Sequence, residues 1–171
     1  EHDPLACVVA VVVAPGRAEP FVGAIMRSSG AQGRRAIIRE SLAANGGVLV
    51  AASLDEAVEF ANDYAAEHLL LAVADADGAL RRVRNTGTVF LGQASSVAYG
   101  DYMTGANHVL PTNGRARSYS GLSTLDFIRW TTYQRVSAEA AARLALDVGI
   151  FADAEGLPAH ADAARAWGMD S

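Results

Sequence analysis

The order of hydrophobic and polar positions predicts an alternation of strands and helices over the first 92 residues. Four short apolar runs predict strands, and the segments between them have apolar residues at helical spacing. The predicted strands are 5–14, 47–52, 69–73 and 88–91, and the predicted helices are 19–29, 32–44, 53–64 and a short one through 80–83. Strands that alternate with helices pair in parallel, so the pattern predicts an α/β fold with helices against a mostly parallel sheet.

Two serines mark where helices should begin. Ser53 is followed by Glu56 in a capping-box pattern, which predicts the start of the third helix. Ser137, followed by an alanine-rich stretch, predicts the start of another helix. The first strand, 5–14, is apolar without alternation, and we expect it to be buried on both faces.

The pattern changes after Gly92. Residues 93–120 are rich in Gly, Ser, Asn, Thr and Tyr, which is typical of a long functional loop. The segments 123–136 and 137–168 have helical periodicity, with a break at 156–158. We therefore expect an α/β domain at 1–120 and helical segments at 121–171. The alanine-rich tail offers little area for its own core, so it should pack on a partner surface through Leu144, Leu146, Ile150, Phe151 and Trp167.

Composition and charge exclude several classes of protein. The 171 residues suit one compact fold, and 51% of them are hydrophobic, which excludes a disordered chain. The formal charge is −5 and no basic cluster could neutralise several phosphates, so nucleic acid is not an expected partner. The run 5–14 is shorter than the roughly 20 residues of a membrane helix, so no membrane association is expected.

The single cysteine and the start of the chain lead to two further expectations. One cysteine cannot form a disulfide framework, which favours a cytoplasmic location, and Cys7 itself is expected to be a small buried side chain. The chain begins at Glu1 without Met and reaches a strand after four residues. We therefore expect a piece of a longer protein.

All four histidines lie near carboxylates in the sequence. The pairs are Glu1 and Asp3 around His2, Glu67 beside His68, Asp101 before His108, and Glu155 before His160. A single histidine is more often an ordinary hydrogen-bonded residue, but four such pairs indicate acid–base or metal chemistry. Histidine with carboxylate is a zinc-type ligand set, although these spacings match no local metal motif.

Glu67 and His68 are the most informative pair. They follow a capped helix and precede a strand, at a sheet edge where α/β proteins commonly place sites. Adjacent strand residues point to opposite faces, so a turn must redirect one of them if both serve one substrate. A polar surface turn is the alternative interpretation. The dinucleotide fingerprint G-x-G-x-x-G is absent from the sequence.

Five ordered blocks resemble histidinol dehydrogenase, and the similarity runs from residue 1 to about 164. The blocks are 64–69, 85–92, 100–112, 119–123 and 154–160. The chain resembles the C-terminal part of that family, starting inside its zinc-ligand motif. The resemblance implies a Rossmann-like α/β fold, related to that of aldehyde dehydrogenases, with helical C-terminal segments. It also implies a zinc-dependent homodimer that oxidises L-histidinol to L-histidine in two NAD-dependent steps of histidine biosynthesis.

The resemblance also implies roles by position. Glu67 and His68 match the catalytic acid–base pair. The matches to zinc ligands are His2, Asp101 and His160, with one zinc per subunit. The matches to substrate-binding positions are His2, His68, Asp101, His108, Glu155 and His160, of which Glu155 and His160 reach the partner subunit's site through intertwined C-terminal segments. The NAD-binding residues are expected in the preceding part of the family's sequence, so none is assigned here and the isolated chain is expected to be inactive.

Two alternatives stay open. The chain could keep the fold and metal but belong to a relative that oxidises another small amino alcohol or polyol. It could also be a non-catalytic remnant that binds zinc or a partner chain. A cofactor domain encoded upstream of Glu1 would distinguish the dehydrogenase from the remnant.

Overall fold

The computed structural model describes residues 1–168 and contains four short strands in two parallel pairs. Strand β1 (Val8–Val12) pairs with β2 (Gly46–Val50), and β3 (His68–Leu71) pairs with β4 (Thr88–Leu91). The predicted parallel α/β alternation is confirmed. The expected single sheet is not found among the described residues. Each strand pairs only with the strand on the other side of one helical crossover, and β2 does not pair with β3.

The described residues form seven α-helices. Their bounds are α1 Ala18–Gly30, α2 Arg35–Asn45, α3 Leu54–Tyr64, α4 Ala76–Leu80, α5 Val97–Tyr102, α6 Ala138–Ala154 and α7 Pro158–Arg165. Single 3₁₀ turns occur at Pro15–Arg17, Arg115–Arg117, Thr124–Phe127 and Ala166–Gly168. The segment 93–120, predicted as a loop, therefore includes the short helix α5. Across residues 1–168, no helix combines the length and apolar character needed to span a bilayer.

The predicted helix starts at the two serines are confirmed. Ser53 Oγ accepts a hydrogen bond from the Glu56 backbone N–H at 3.1 Å, and the Glu56 carboxylate accepts one from the Ala52 N–H at 2.5 Å. Ser137 Oγ accepts from the Ala140 N–H at 3.1 Å. These side chains satisfy backbone donors that an uncapped first turn would leave without partners.

The core around β3 and β4 lies on one face of this small sheet. Val58 of α3, Leu71 of β3 and Ala79 of α4 are buried together. Alternate strand residues point to opposite faces, so Leu69 and Val89 join this core whereas His68 and Phe90 occupy the other face. One face therefore stabilises the unit, and the other is free to carry chemistry.

Strands β1 and β2 are less buried than the sequence predicts. Val8 and Val50 are about half exposed, at 54% and 50%. The expectation that the first strand is buried on both faces is wrong for the described chain, because a two-stranded sheet has no further strands to extend its cover. Cys7 is also exposed, contrary to expectation, because it precedes the first paired residue of β1.

The chain divides into two compact units, Glu1–Phe127 and Ile128–Ser171. The domain boundary predicted after residue 120 lies inside the first unit and stays a prediction. In the second unit, α6 packs on α7, and Ala145, Gly149 and Ala152 are buried. The predicted side chains that should meet a partner surface are exposed in this chain: Leu144, Leu146, Ile150, Phe151 and Trp167.

The helix predicted over 123–136 is wrong apart from the 3₁₀ turn at Thr124–Phe127. Residues 128–136 have no regular secondary structure, and all of them are exposed. β-Branched and aromatic residues such as Ile128, Trp130 and Thr131 have modest helix propensity. Short helices in water are stabilised chiefly by packing of one face, and this segment buries none.

The hydroxyl of Tyr64 provides a test of the packing near Cys7. Tyr64 donates a hydrogen bond to Cys7 Sγ at 2.8 Å, and Cys7 Sγ donates to the Asn45 carbonyl at 3.0 Å. The hydrogen bond to Cys7, followed by burial and the charge of Cys7, raises the pKa of Tyr64 from 10.0 to about 12. The neutral phenol is thus favoured in the folded state.

We therefore expect this contribution to stability below about pH 10 and its loss as the pH rises through about 12. Replacing Cys7 by Ala should lower the pKa of Tyr64 towards 10.0. Tyrosinate absorbance measured against pH checks this, with Tyr64→Phe identifying the relevant phase. An identical Tyr64 phase in the wild-type and Cys7→Ala chains would contradict the assignment.

Candidate active site

Four of the predicted site residues lie together in the first unit. Asp101 Oδ1 is 3.7 Å from His68 Nε2 and 3.3 Å from His108 Nδ1. Glu67 Oε1 is 3.9 Å from His68 Nδ1. The side chains of His68 and Asp101 are 26% and 25% exposed, so the cluster is partly shielded yet open to a small ligand. We call Glu67, His68, Asp101 and His108 the His–carboxylate cluster.

The turn before β3 explains how neighbouring Glu67 and His68 reach the same place. Helix α3 ends at Tyr64, and the next residue, Ala65, is buried and has left-handed backbone angles (φ 53°, ψ 57°). His68 is the first residue of β3, so Glu67 lies in the turn outside the strand. The opposite-face rule for strands therefore does not apply to this pair. The backbone at Glu67 forms a bend, and the side chains of Glu67 and His68 both belong to the His–carboxylate cluster.

The segment before β4 fixes this turn through hydrogen bonds to its carbonyl groups. The N–H of Gly87 donates to the Ala66 carbonyl at 3.0 Å, and the N–H of Thr88 donates to the Glu67 carbonyl at 2.9 Å. The Thr86 hydroxyl also donates to the Ala66 carbonyl at 2.9 Å. The parallel pairing of β3 and β4 thus continues past the strand ends to the residues that carry the chemistry.

A buried amide connects α3 to the same segment. Asn62 Oδ1 accepts from the Arg84 N–H at 2.6 Å and from the Asn85 N–H at 3.3 Å. Asn62 Nδ2 donates to the Arg82 carbonyl at 3.0 Å. Asn85 Nδ2 returns a bond to the Asn62 carbonyl at 3.0 Å. These bonds hold the end of the helix and the start of β4 in one arrangement around Glu67.

Sequence reasoning assigned no role to Asn62, Asn85, Thr86 or Gly87. One available signal was Asn62 four residues after the buried Val58, which places a polar amide on the apolar face of α3. The other was the position of 85–87 directly before the strand that pairs with His68, but that signal needs the register of the sheet.

The remaining predicted site residues are His2, Glu155 and His160, and all three are exposed. His2 lies near the start of the first unit, and Glu155 and His160 lie in the second unit, at the end of α6 and in α7. Among residues 1–168, the structure brings together no group of three or more His, Cys, Asp or Glu side chains that could hold a metal ion. Zinc binding by His2, Asp101 and His160 stays a prediction.

The fold and cluster together are typical of an enzyme that transfers protons. A histidine flanked by carboxylates, partly exposed on one face of a parallel α/β unit, can take up and release a proton. Its position differs from the usual one in α/β proteins, because His68 opens β3 at the amino end of the strand.

Comparison with known proteins identifies the family. The model of the histidinol dehydrogenase family matches residues 1–167, and the chain belongs to that family. Histidinol dehydrogenase from Haloarcula marismortui is 48% identical over 166 residues, which cover 96% of this chain and 39% of the relative. The enzyme from Methanothermobacter thermautotrophicus is 44% identical over 165 residues, with the same coverage of 96% and 39%.

A solved structure gives the same result. The crystal structure of histidinol dehydrogenase from Elizabethkingia anophelis matches with a TM-score of 0.90 and 31% identity, covering 97% of this chain and 38% of that one. The resemblance found from the sequence blocks is thereby confirmed. The chain spans less than two-fifths of the length of the relatives it matches.

Gly87 allows a test of how the turn is held. A Cβ added at Gly87 would lie 2.5 Å from the Glu67 carbonyl oxygen and 3.2 Å from Pro111 Cδ. A backbone oxygen cannot rotate away, so Gly87→Ala should lower the free energy of unfolding by about 1–3 kcal/mol through overpacking.

Urea unfolding of the chain measures this effect. Gly47→Ala is the matched control, because a Cβ on that strand glycine meets nothing within 4 Å. Equal stability of the Gly87→Ala and Gly47→Ala chains would show that the close approach to Glu67 is not a constraint.

Proposed function

We propose that the protein containing this chain is a histidinol dehydrogenase, which oxidises L-histidinol to L-histidine through the aldehyde with NAD as oxidant. The observation that carries the proposal is the His–carboxylate cluster, whose residues match catalytic and substrate-binding positions. Each member has a charged or ring atom within 3.9 Å of another member, and Asp101 and His108 come from a segment distant in sequence from Glu67 and His68. Membership of the family supports the same conclusion. The parallel β–α–β pairs support a Rossmann-like interpretation of the fold.

In the first oxidation, His68 takes the proton of the substrate's alcohol. Glu67 and Asp101 lie on either side of the imidazole, at 3.9 Å and 3.7 Å from its two nitrogens. Both carboxylates attract the positive charge that the ring gains with the proton. The oxidant would be NAD, which is expected to bind residues that precede this chain and would take up the hydride from the carbinol carbon. The products of this step are the aldehyde, reduced NAD and a proton held on His68.

In the second oxidation, Glu67 removes a proton from water as the water attacks the aldehyde carbon. The Glu67 side chain is 38% exposed, so water can reach it directly. The hydrated aldehyde has one ionised hydroxyl because Glu67 holds the proton from water. Loss of a hydride to a second NAD would then give the carboxylic acid. A general base typically contributes about 10²–10⁴-fold to such a step. Asp101 and His108 supply an acceptor and a hydrogen-bonding ring for the substrate's amine and imidazole.

Zinc and a second subunit complete the proposal. His2 and Asp101 from one chain, with His160 from a second copy, would bind one zinc per subunit, whose chemistry is to orient the substrate. The two steps above are described only through the side chains of this chain. Exposed Leu146, Ile150 and Phe151 of α6 support a homodimer in which the second unit contacts the partner.

Turnover in a complete protein tests the proposal directly. We would replace the matching segment of the Methanothermobacter relative with this chain. Reduction of NAD by the resulting chimera would then be measured with L-histidinol as substrate. The proposal predicts two reduced NAD per histidinol and L-histidine as the product. A folded chimera that leaves histidinol unchanged, or that oxidises only other amino alcohols or polyols, would contradict it. The unaltered relative is the positive control.

Two substitutions separate the roles of the adjacent pair in that chimera. Glu67→Gln should slow conversion of the aldehyde by about 10²–10⁴-fold, because an amide cannot deprotonate water, and should affect the alcohol step less. His68→Asn should slow the alcohol step and leave supplied aldehyde convertible. Separate assays of the two steps measure this difference.

The exposed residue Glu59 on α3 offers a matched control, since Glu59→Gln makes the same change outside the cluster. Small and equal losses at both steps in folded Glu67→Gln and His68→Asn proteins would refute the assignment.

A further inference from the structure

Phe90 lies beside His68 on the functional face of the β3–β4 sheet. The ring centroids of the two side chains are 6.0 Å apart with an interplanar angle of 30°. Phe90 is only 8% exposed, so its ring is held in place by packing. In the parallel register, His68 pairs with Thr88 and Leu70 pairs with Phe90. Phe90 is therefore two residues further along the sheet than His68, and the two side chains lie on the same face.

Gly100 of α5 lies next to the edge of the Phe90 ring. A Cβ added at Gly100 would lie 2.6 Å from both Cε1 and Cζ of Phe90. Gly100 is buried, and the next residue is Asp101 of the His–carboxylate cluster. Helix α5 therefore contacts the Phe90 ring through the backbone of Gly100, the residue before Asp101.

Backbone conformation does not explain why this position is glycine. The glycines with positive φ angles in the described chain are Gly92, Gly105, Gly114 and Gly156, and Gly100 is not among them. An alanine would also favour the helix over glycine. The close approach to Phe90 is the remaining reason for the absence of a side chain.

We propose that Gly100 and Phe90 are positioning residues that set the distance between the Asp101 carboxylate and the His68 imidazole. The edge of the Phe90 ring at Cε1 and Cζ limits how closely α5 approaches the sheet. Any side chain at position 100 moves α5 outward and carries Asp101 away from its 3.7 Å separation from His68 Nε2. This proposal rests on the proposed function for its kinetic consequence but not for its geometry.

Four variants test the geometry: Gly100→Ala, Phe90→Leu, the two combined, and Gly30→Ala as the control. Leucine lacks the ring atoms that an alanine Cβ at position 100 would meet, so the double variant removes the clash. Gly30 is a helical glycine whose added Cβ meets nothing within 4 Å. Crystal structures of the 171-residue chain should show Asp101 displaced from His68 by at least about 1 Å in Gly100→Ala, and restored in the double variant.

Kinetics in the chimera provide the second readout. Gly100→Ala should lower kcat/KM for histidinol by about 10–100-fold, because a displacement near 1 Å at reacting groups has effects of this size. The double variant should recover to the kcat/KM of Phe90→Leu alone, which a general loss of stability would not produce. Gly30→Ala should match the wild type.

Two results would overturn the proposal: an unchanged Asp101 to His68 distance in Gly100→Ala, or a double variant as impaired as Gly100→Ala. Should Gly100→Ala fail to fold, the double variant must fold with the wild-type distance, and its failure would also overturn the proposal. An inactive wild-type chimera whose chain variants show the expected displacement and restoration would contradict the proposed function alone.

Discussion

The arrangement of the candidate active site depends on the parallel hydrogen bonding between the β3 and β4 segments. The N–H groups of Gly87 and Thr88 continue this pairing to the carbonyls of Ala66 and Glu67, past the point where β3 begins. These hydrogen bonds fix the backbone at Ala66 and Glu67, and therefore the Cα positions from which the Glu67 and His68 side chains extend. The same pairing places Phe90 next to His68. Phe90 in turn lies close to Gly100 of α5, the residue before Asp101. One register therefore controls both sides of the cluster.

The two faces of the β3–β4 sheet carry different side chains, because successive strand residues point to opposite faces. The face formed by Leu69, Leu71 and Val89 packs with α3 and α4 and supplies stability. The opposite face is free of that packing and carries His68 with its carboxylate neighbours. Partial exposure of the His68 and Asp101 side chains, at 26% and 25%, keeps these groups accessible to water.

Local sequence signals were sufficient for the elements they control. The capping pattern at Ser53 and Glu56 and the apolar runs of the strands are local, and they predicted α3 and the four strands. Strand pairing is not local, so the division into two small sheets was missed. The segment 128–136 was misjudged because periodicity does not report whether a face is buried. Cys7 was predicted to be buried because the apolar run continues to it, although β1 begins one residue later.

The candidate site also divides into residues that the sequence indicated and residues that depend on non-local packing. The histidine and carboxylate pairs pointed to chemistry, and the family resemblance selected Glu67, His68, Asp101 and His108, which the structure brings together. The residues that hold them were missed. Thr86, Gly87, Phe90 and Gly100 act through the register of β4 and the approach of α5, and neither can be derived from spacing along the chain.

Native-state hydrogen exchange of the chain tests the central claim most directly. The claim is that the 85–88 segment belongs to the same cooperative unit as the β3–β4 sheet. It predicts that the amides of Gly87 and Thr88 exchange within about tenfold of the Gly92 amide, which donates to Leu71 at the other end of the pairing. Exchange of Gly87 and Thr88 as fast as that of the exposed loop residue Gly105 would contradict it.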